Sequence, residues 1–141
     1  PKAVRVYSSR GFSSGSYGFF HGHAWPDKRL MQCDWLFMAH VHPAVEFKDS
    51  LGFRAIEQVF IQGQLDKKAV QKRYGIKRTG RLECVILPAF NRILGGIALN
   101  SLVKDEYIGP LLANKVLDVD NCDAYMLDGT LLGRIKALKI G

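Results

Sequence analysis

The residues able to do chemistry crowd into one window of this chain. All four histidines of the 141 residues lie between His21 and His42, in the stretch HGHAWPDKRLMQCDWLFMAHVH. They form two His-x-His pairs, His21 with His23 and His40 with His42. In a strand, residues i and i+2 face the same way, so each pair can aim two imidazoles at one side of a sheet end. Neutral imidazole is the commonest protein metal ligand and suits Zn, Mn, Fe and Ni. Each pair follows a short apolar run, ending in Phe20 and in Ala39, where a strand gives way to a loop. Function collects at such strand ends in α/β sheets. The plain alternative is a set of hydrogen-bonded histidines at strand ends, and it weighs most at His23.

A two-metal hydrolytic site also needs carboxylates, often one that bridges both ions. The nearby acids are Asp27, Asp34, Glu46 and Asp49. Asp27 follows Pro26 and reads as the N-cap of a short helix reaching about Cys33. Asp49 opens a turn, and Asp34 precedes the Trp35 strand at the end away from the histidines. None has the spacing of a ligand. Taken alone, the chain offers imidazoles without the carboxylates they work with.

The elements that must position these groups follow from local pattern. Alternation predicts a strand over Ala3–Ser8, and Gly/Ser content a loop over Ser9–Ser16. Apolar runs predict buried strands over Tyr17–His21, Trp35–Ala39 and Leu82–Leu87. Pro43 stops the second histidine pattern. Strands over Ala44–Lys48 and Phe53–Ile61 are joined by an Asp49–Gly52 turn. Leu65–Tyr74 reads as a helix capped by Gly75. Pro88–Asn100 is loop-like, with Asn91 and Asn100 as turn residues. Leu102–Leu112 holds a helical turn interrupted by Gly109-Pro110. Asp128-Gly129 joins a last hairpin, Ala124–Leu127 with Leu131–Leu138. Seven or eight strands and two or three short helices make a strand-rich α/β domain with a mixed sheet, one domain over residues 1–141.

Composition narrows the class. Hydrophobic residues make up 48% and charged residues 23%, and no apolar run approaches the roughly 18 residues of a membrane span. A soluble, cytoplasmic protein with no membrane partner is expected. Cys33, Cys84 and Cys122 are odd in number and far apart, which argues against a disulfide framework and against a thiolate zinc site. The net charge is +7, and Lys67, Lys68, Lys72, Arg73, Lys77, Arg78 and Arg81 concentrate it. The plain reading of that run is a solvated helix face; the functional reading is a surface for phosphate or nucleic acid. Tyr74 is the one aromatic among them, too few for a base-stacking platform.

The quoted motifs also resemble the C-terminal half of the calcineurin-like metallophosphoesterases, in their archaeal and bacterial ICC-like branch. FFHGHAWPD resembles the family's apolar strand ending in His-Gly. AHVHPAVEF resembles its Gly-His-x-His, with Ala39 in place of the usual Gly. LPAFNRILGG and the later Leu99-Asn100 resemble a segment typical of the branch. The resemblance implies half of a two-sheet sandwich with short flanking helices. It implies His21 and His40 on one metal, His42 on a second, and His23 beside them touching substrate phosphate. The implied cofactors are divalent Mn, Fe, Ni or Zn, and the implied reaction is hydrolysis of a phosphate ester. The family's Asp-x-His, Gly-Asp and Gly-Asn-His-Asp motifs do not occur in these residues. The chain is therefore expected to bind metal weakly or not at all by itself, to be inactive alone, and to pair with a missing N-terminal half or with a second copy. Two other readings stay open: a non-enzymatic assembly or nucleic-acid-binding module, and a mononuclear zinc protein using all four histidines.

Overall fold

The structure is a computed structural model, and it describes residues 3–91, 93, 95–101 and 108–140. Nine strands are seen among these: β1 (Phe12–Ser14), β2 (Tyr17–Phe20), β3 (Trp35–Met38), β4 (Pro43–Lys48), β5 (Arg54–Gln64), β6 (Glu83–Ile86), β7 (Ile97–Ala98), β8 (Asp123–Met126) and β9 (Leu131–Arg134). Two α-helices accompany them, α1 (Lys67–Tyr74) and α2 (Pro110–Ala113), with 3₁₀ turns at Lys28–Gln32, Val119–Asn121 and Ile135–Ala137. The fold is mixed α/β and strand-rich, as the residue pattern indicates.

The strand order is β1-β2-β3-β6-β5-β4-β7, with β8 on β5 and β9 on β8. β2, β3 and β6 run parallel, with Phe20 opposite Met38 and Met38 opposite Ile86. The long β5 is the spine. Its first half pairs antiparallel with β4, and its second half pairs antiparallel with both β6 and β8. Parallel neighbours end at the same edge of a sheet, so β2 and β3 deliver the chain segments that follow them side by side.

One face of β2, β3 and β6 carries Phe20, Leu36, Met38, Cys84 and Ile86, all buried. It packs on Leu30 and Met31 of the first 3₁₀ turn, Val70 of α1, and Leu111 and Leu112 of α2. Each fully buried side chain of this size contributes about 1.5–3 kcal/mol. Gly18 belongs to this layer because a Cβ there would lie 2.7 Å from the Leu36 side chain. The opposite face alternates to Tyr17, Phe19, Trp35, Phe37 and Val85, half-buried or exposed. Its rings form a ladder: Tyr7 on Phe12 at 4.2 Å, Phe12 on Phe19 at 5.3 Å, Phe19 on Phe37 at 5.2 Å. The last two pairs are direct partners on neighbouring strands, so their rings stack across the sheet, and Tyr7 extends the row from outside it.

Several local expectations are corrected. Ala3–Ser8 is not a strand: Val4 and Val6 are 88% and 90% exposed, so their alternation buries nothing. The Gly/Ser stretch holds β1, which pairs antiparallel with β2 across Gly15. Pro43 begins a strand instead of stopping one, and Pro88–Asn100 includes the two-residue β7 beside it. Pro110 starts α2 at N1, where its missing N–H costs nothing, instead of interrupting a helix. Residues 102–107 of the expected helical turn lie outside those described. The helix expected over Leu65–Tyr74 begins at Lys67, and the strand expected over Leu131–Leu138 stops at Arg134, where a 3₁₀ turn takes over. The signals at Asp27, Asp49, Gly75 and Asp128 agree. Asp66 caps α1 through the Lys68 and Ala69 amides, Gly75 takes φ +60 at its end, and Asp49 accepts from the Leu51 and Phe53 amides in the hairpin turn. All three cysteines are buried and free, and burial pushes the Cys122 thiol up to about 12.

Candidate metal centre

His21 follows the last residue of β2, and His40 lies two residues past β3. The Ala39 amide donates to the His21 carbonyl at 3.1 Å, which locks the two strand ends together. His21 Nε2 and His40 Nδ1 are then 3.1 Å apart. His23 joins them, its ring centroid 5.0 Å from His21 and 5.6 Å from His40. The cluster is three imidazoles at one sheet edge.

Backbone shape, not strand alternation, brings them together. Neither pair lies in a strand. Gly22 takes φ +113, backbone that a residue with a Cβ rarely adopts, so the first pair turns on a glycine. His40 and His42 themselves hold φ +64 and +49. Left-handed backbone is costly for a residue with a Cβ and clusters at functional sites. The Val41 amide returns to the Ala39 carbonyl at 2.7 Å, and the His42 carbonyl accepts from Ile97 of β7, which fixes the second pair from both sides.

His42 goes elsewhere. It lines a 470 Å³ cleft with Ala39, Gln58, Phe60, Pro88 and Phe90. It remains close enough for its charge to act on His40. Partial burial, then the charges of His21, His23 and His42, hold the His40 imidazole below its ordinary pKa and favour the neutral ring.

The acids are all engaged away from the cluster. Asp27 accepts from the Arg29 amide and guanidinium, and that guanidinium holds its carboxyl below the usual range. Asp34 accepts from the Arg81 amide, Glu46 pairs with Arg54 at 2.7 Å, and Asp49 holds its turn. Among the described residues, no group of three or more His, Cys, Asp or Glu side chains is arranged to hold a metal ion. The fit is to a pair: with metal–nitrogen bonds of about 2.0–2.1 Å, neighbouring ligands on one ion stand roughly 3.0–3.4 Å apart, which His21 and His40 match.

Asn100 shows what residue type alone concealed. It sits in a turn, yet it is 2% exposed. Its Oδ1 accepts from the Glu46 amide, and its Nδ2 donates to the carbonyls of Glu46 and Leu138, each at 2.8 Å. It clasps β4 to the chain's last 3₁₀ turn. Asn91 is a turn residue accepting from the Ile93 amide. The six cations Lys67, Lys68, Lys72, Arg73, Lys77 and Arg78 are exposed on α1 and the loop beyond it. Tyr74 among them is turned to use by Pro26, whose carbonyl accepts from its hydroxyl.

No helix among the described residues is long and apolar enough to cross a membrane. No protein-family model, curated protein or solved structure matches this chain.

Proposed function

We propose that this chain carries the histidine wall of a metal-dependent phosphoester hydrolase, a wall that needs carboxylates from another polypeptide layer to act. The observation that carries the reading is the 3.1 Å approach of His21 Nε2 to His40 Nδ1 at the shared end of two parallel strands. A divalent cation, Mn, Fe, Ni or Zn, supplies Lewis-acid polarisation of a phosphoryl group when bound. His21 and His40 offer it two neighbouring nitrogens; these hydrogen-bond to each other in the structure, so a bound ion would replace the shared proton. His23, exposed beside them, donates to a substrate phosphate oxygen. His42, in its own cleft, serves a second ion. The separate position of His42 weighs against a closed zinc site built from all four histidines.

A second reading, an assembly module, is favoured by the aromatic ladder. An apolar sheet face of this size favours a second layer over water. Its occupant is a segment that brings the missing carboxylates or a second copy of this chain. The three free cysteines suit a reducing, cytoplasmic setting.

Titration calorimetry with MnCl₂ and ZnCl₂ tests the metal reading. Weak binding that His21→Ala and His40→Ala each abolish is expected, with no hydrolysis of bis-p-nitrophenyl phosphate by the chain alone. Absence of binding to either ion rejects the metal reading. Hydrolysis by the chain alone rejects the need for outside carboxylates.

A further inference from the structure

The basic run of α1 does not stand alone in the folded chain. Folding sets beside it cations from two earlier stretches, and the joint between them is the loop that leaves His23. The Arg73 guanidinium lies 4.3 Å from the Trp25 ring centroid. Trp25 meets Tyr74 edge-on at 6.4 Å, and the Tyr74 hydroxyl donates to the Pro26 carbonyl at 2.8 Å. On the far side of the same loop, the Asp27 amide donates to the Arg10 carbonyl at 2.8 Å, and Arg29 pairs with Asp27 at 3.1 Å. Burial raises the pKa of the Tyr74 phenol, and the charges of both Arg73 and Arg10 act on it in the opposite sense. The loop after α1 closes the surface: Gln32 donates to the Arg78 carbonyl at 3.0 Å, and Gln71 donates to that of Lys77 at 2.9 Å.

Arg10, Lys28, Arg29, Arg73, Lys77 and Arg78 are all exposed on this surface. The carboxylates that meet it are engaged, Asp27 by Arg29 and Asp34 by the Arg81 amide. We propose that this surface binds the phosphodiester backbone of a nucleic acid and leads it to the histidine cluster. Guanidiniums supply four of the six cations, and their planar fork suits phosphate oxygens. No large apolar side chain is exposed within residues 25–32 or 67–81, the two stretches that supply five of the six cations; the exposed Val4, Val6 and Tyr7 precede Arg10. Arg73 covers a face of Trp25, so contact is through phosphates and is independent of base sequence. Trp25 stands two residues past His23, which puts the track against the cluster. The link to hydrolysis rests on the phosphoesterase reading and names its substrate class; binding itself requires no metal.

The test is fluorescence anisotropy of a labelled oligonucleotide of about 30 residues, single-stranded and duplex, with the full chain in EDTA between about 50 and 200 mM KCl. Expected is binding that weakens with salt with a log–log slope of about −3 or steeper. The exposed pair Lys77→Glu with Arg78→Glu should weaken it roughly tenfold or more and flatten the slope by about two. Lys48→Glu with Lys115→Glu makes the same charge change elsewhere and should weaken it less than about threefold. Equal losses in the two double variants overturn the proposal, because net charge alone would then explain binding. A flat salt dependence, no binding at the lowest salt, or binding to phosphatidylserine vesicles without oligonucleotide binding also overturns it. EDTA separates this outcome from the metal reading, which calorimetry tests independently.

Discussion

Replacing His40 by glycine should leave a more stable protein than replacing it by alanine, although both remove the same imidazole. His40 holds φ +64. A Cβ in left-handed backbone costs about 1–2 kcal/mol, and alanine keeps that cost whereas glycine escapes it. Against this, glycine loses about 0.5–1 kcal/mol more chain entropy on folding than alanine. Both variants lose the His21–His40 contact equally, so it cancels. The difference favours His40→Gly by about 0.5–1 kcal/mol, a shift in Tm of roughly 2–4 °C for a chain of this size. At an ordinary helix or strand position the order reverses by a similar amount.

Urea unfolding of the two variants reads the difference directly. His42, with φ +49, repeats the test independently. His23 serves as the control, since its backbone is not left-handed. Glycine should be no better than alanine there. An alanine variant equal to or more stable than glycine at both 40 and 42 would refute the reasoning: the turn that sets the second histidine pair would not be left-handed. If the order holds while Mn²⁺ binding is lost in His40→Gly, the strained backbone is retained for its imidazole and not for stability.

Two further outcomes follow from the fold. Asn100→Ala should cost about 2 kcal/mol in urea unfolding, because it leaves the buried Glu46 amide and carbonyl without partners at roughly 1 kcal/mol or more each, while the part-buried Leu138 carbonyl can turn to water; a loss below about 1 kcal/mol would mean that the clasp between β4 and the last 3₁₀ turn contributes little. Light scattering at micromolar concentration should find the chain self-associated, and Phe19→Glu with Phe37→Glu should return it to monomer; a monomeric parent chain would remove the aromatic face as a self-association surface.

Much of the scaffold was legible because its signals are local. A capping carboxylate at Asp27, a left-handed Gly75, and the turns at Asp49 and Asp128 depend on residues within one turn of chain, whereas the Asp66 cap went unread inside the expected Leu65–Tyr74 helix. The apolar runs before His21 and His40 marked β2 and β3 because both strands pack a buried face. Alternation failed at Ala3–Ser8, where the pattern is present but no partner buries it. β7 was invisible at two residues, since its pairing with β4 comes from the partner and not from its own sequence.

The sequence by itself determined that four histidines would stand at the ends of two apolar strands, and that no acid among them was spaced as a ligand. Only the tertiary structure decided which histidines meet. Parallel pairing of β2 with β3 brought His21 and His40 within hydrogen-bond distance, Gly22 turned His23 toward them, and the left-handed backbone at His42 accompanied a different cleft. Likewise, the sequence displayed the cations of α1, but packing of Tyr74 on the Trp25 loop joined them to Arg10, Lys28 and Arg29. The physical reason is the same in both cases. Residue type and spacing fix what a group can do and its local backbone, whereas its neighbours across the chain are chosen by sheet register and core packing, which no short window of sequence contains.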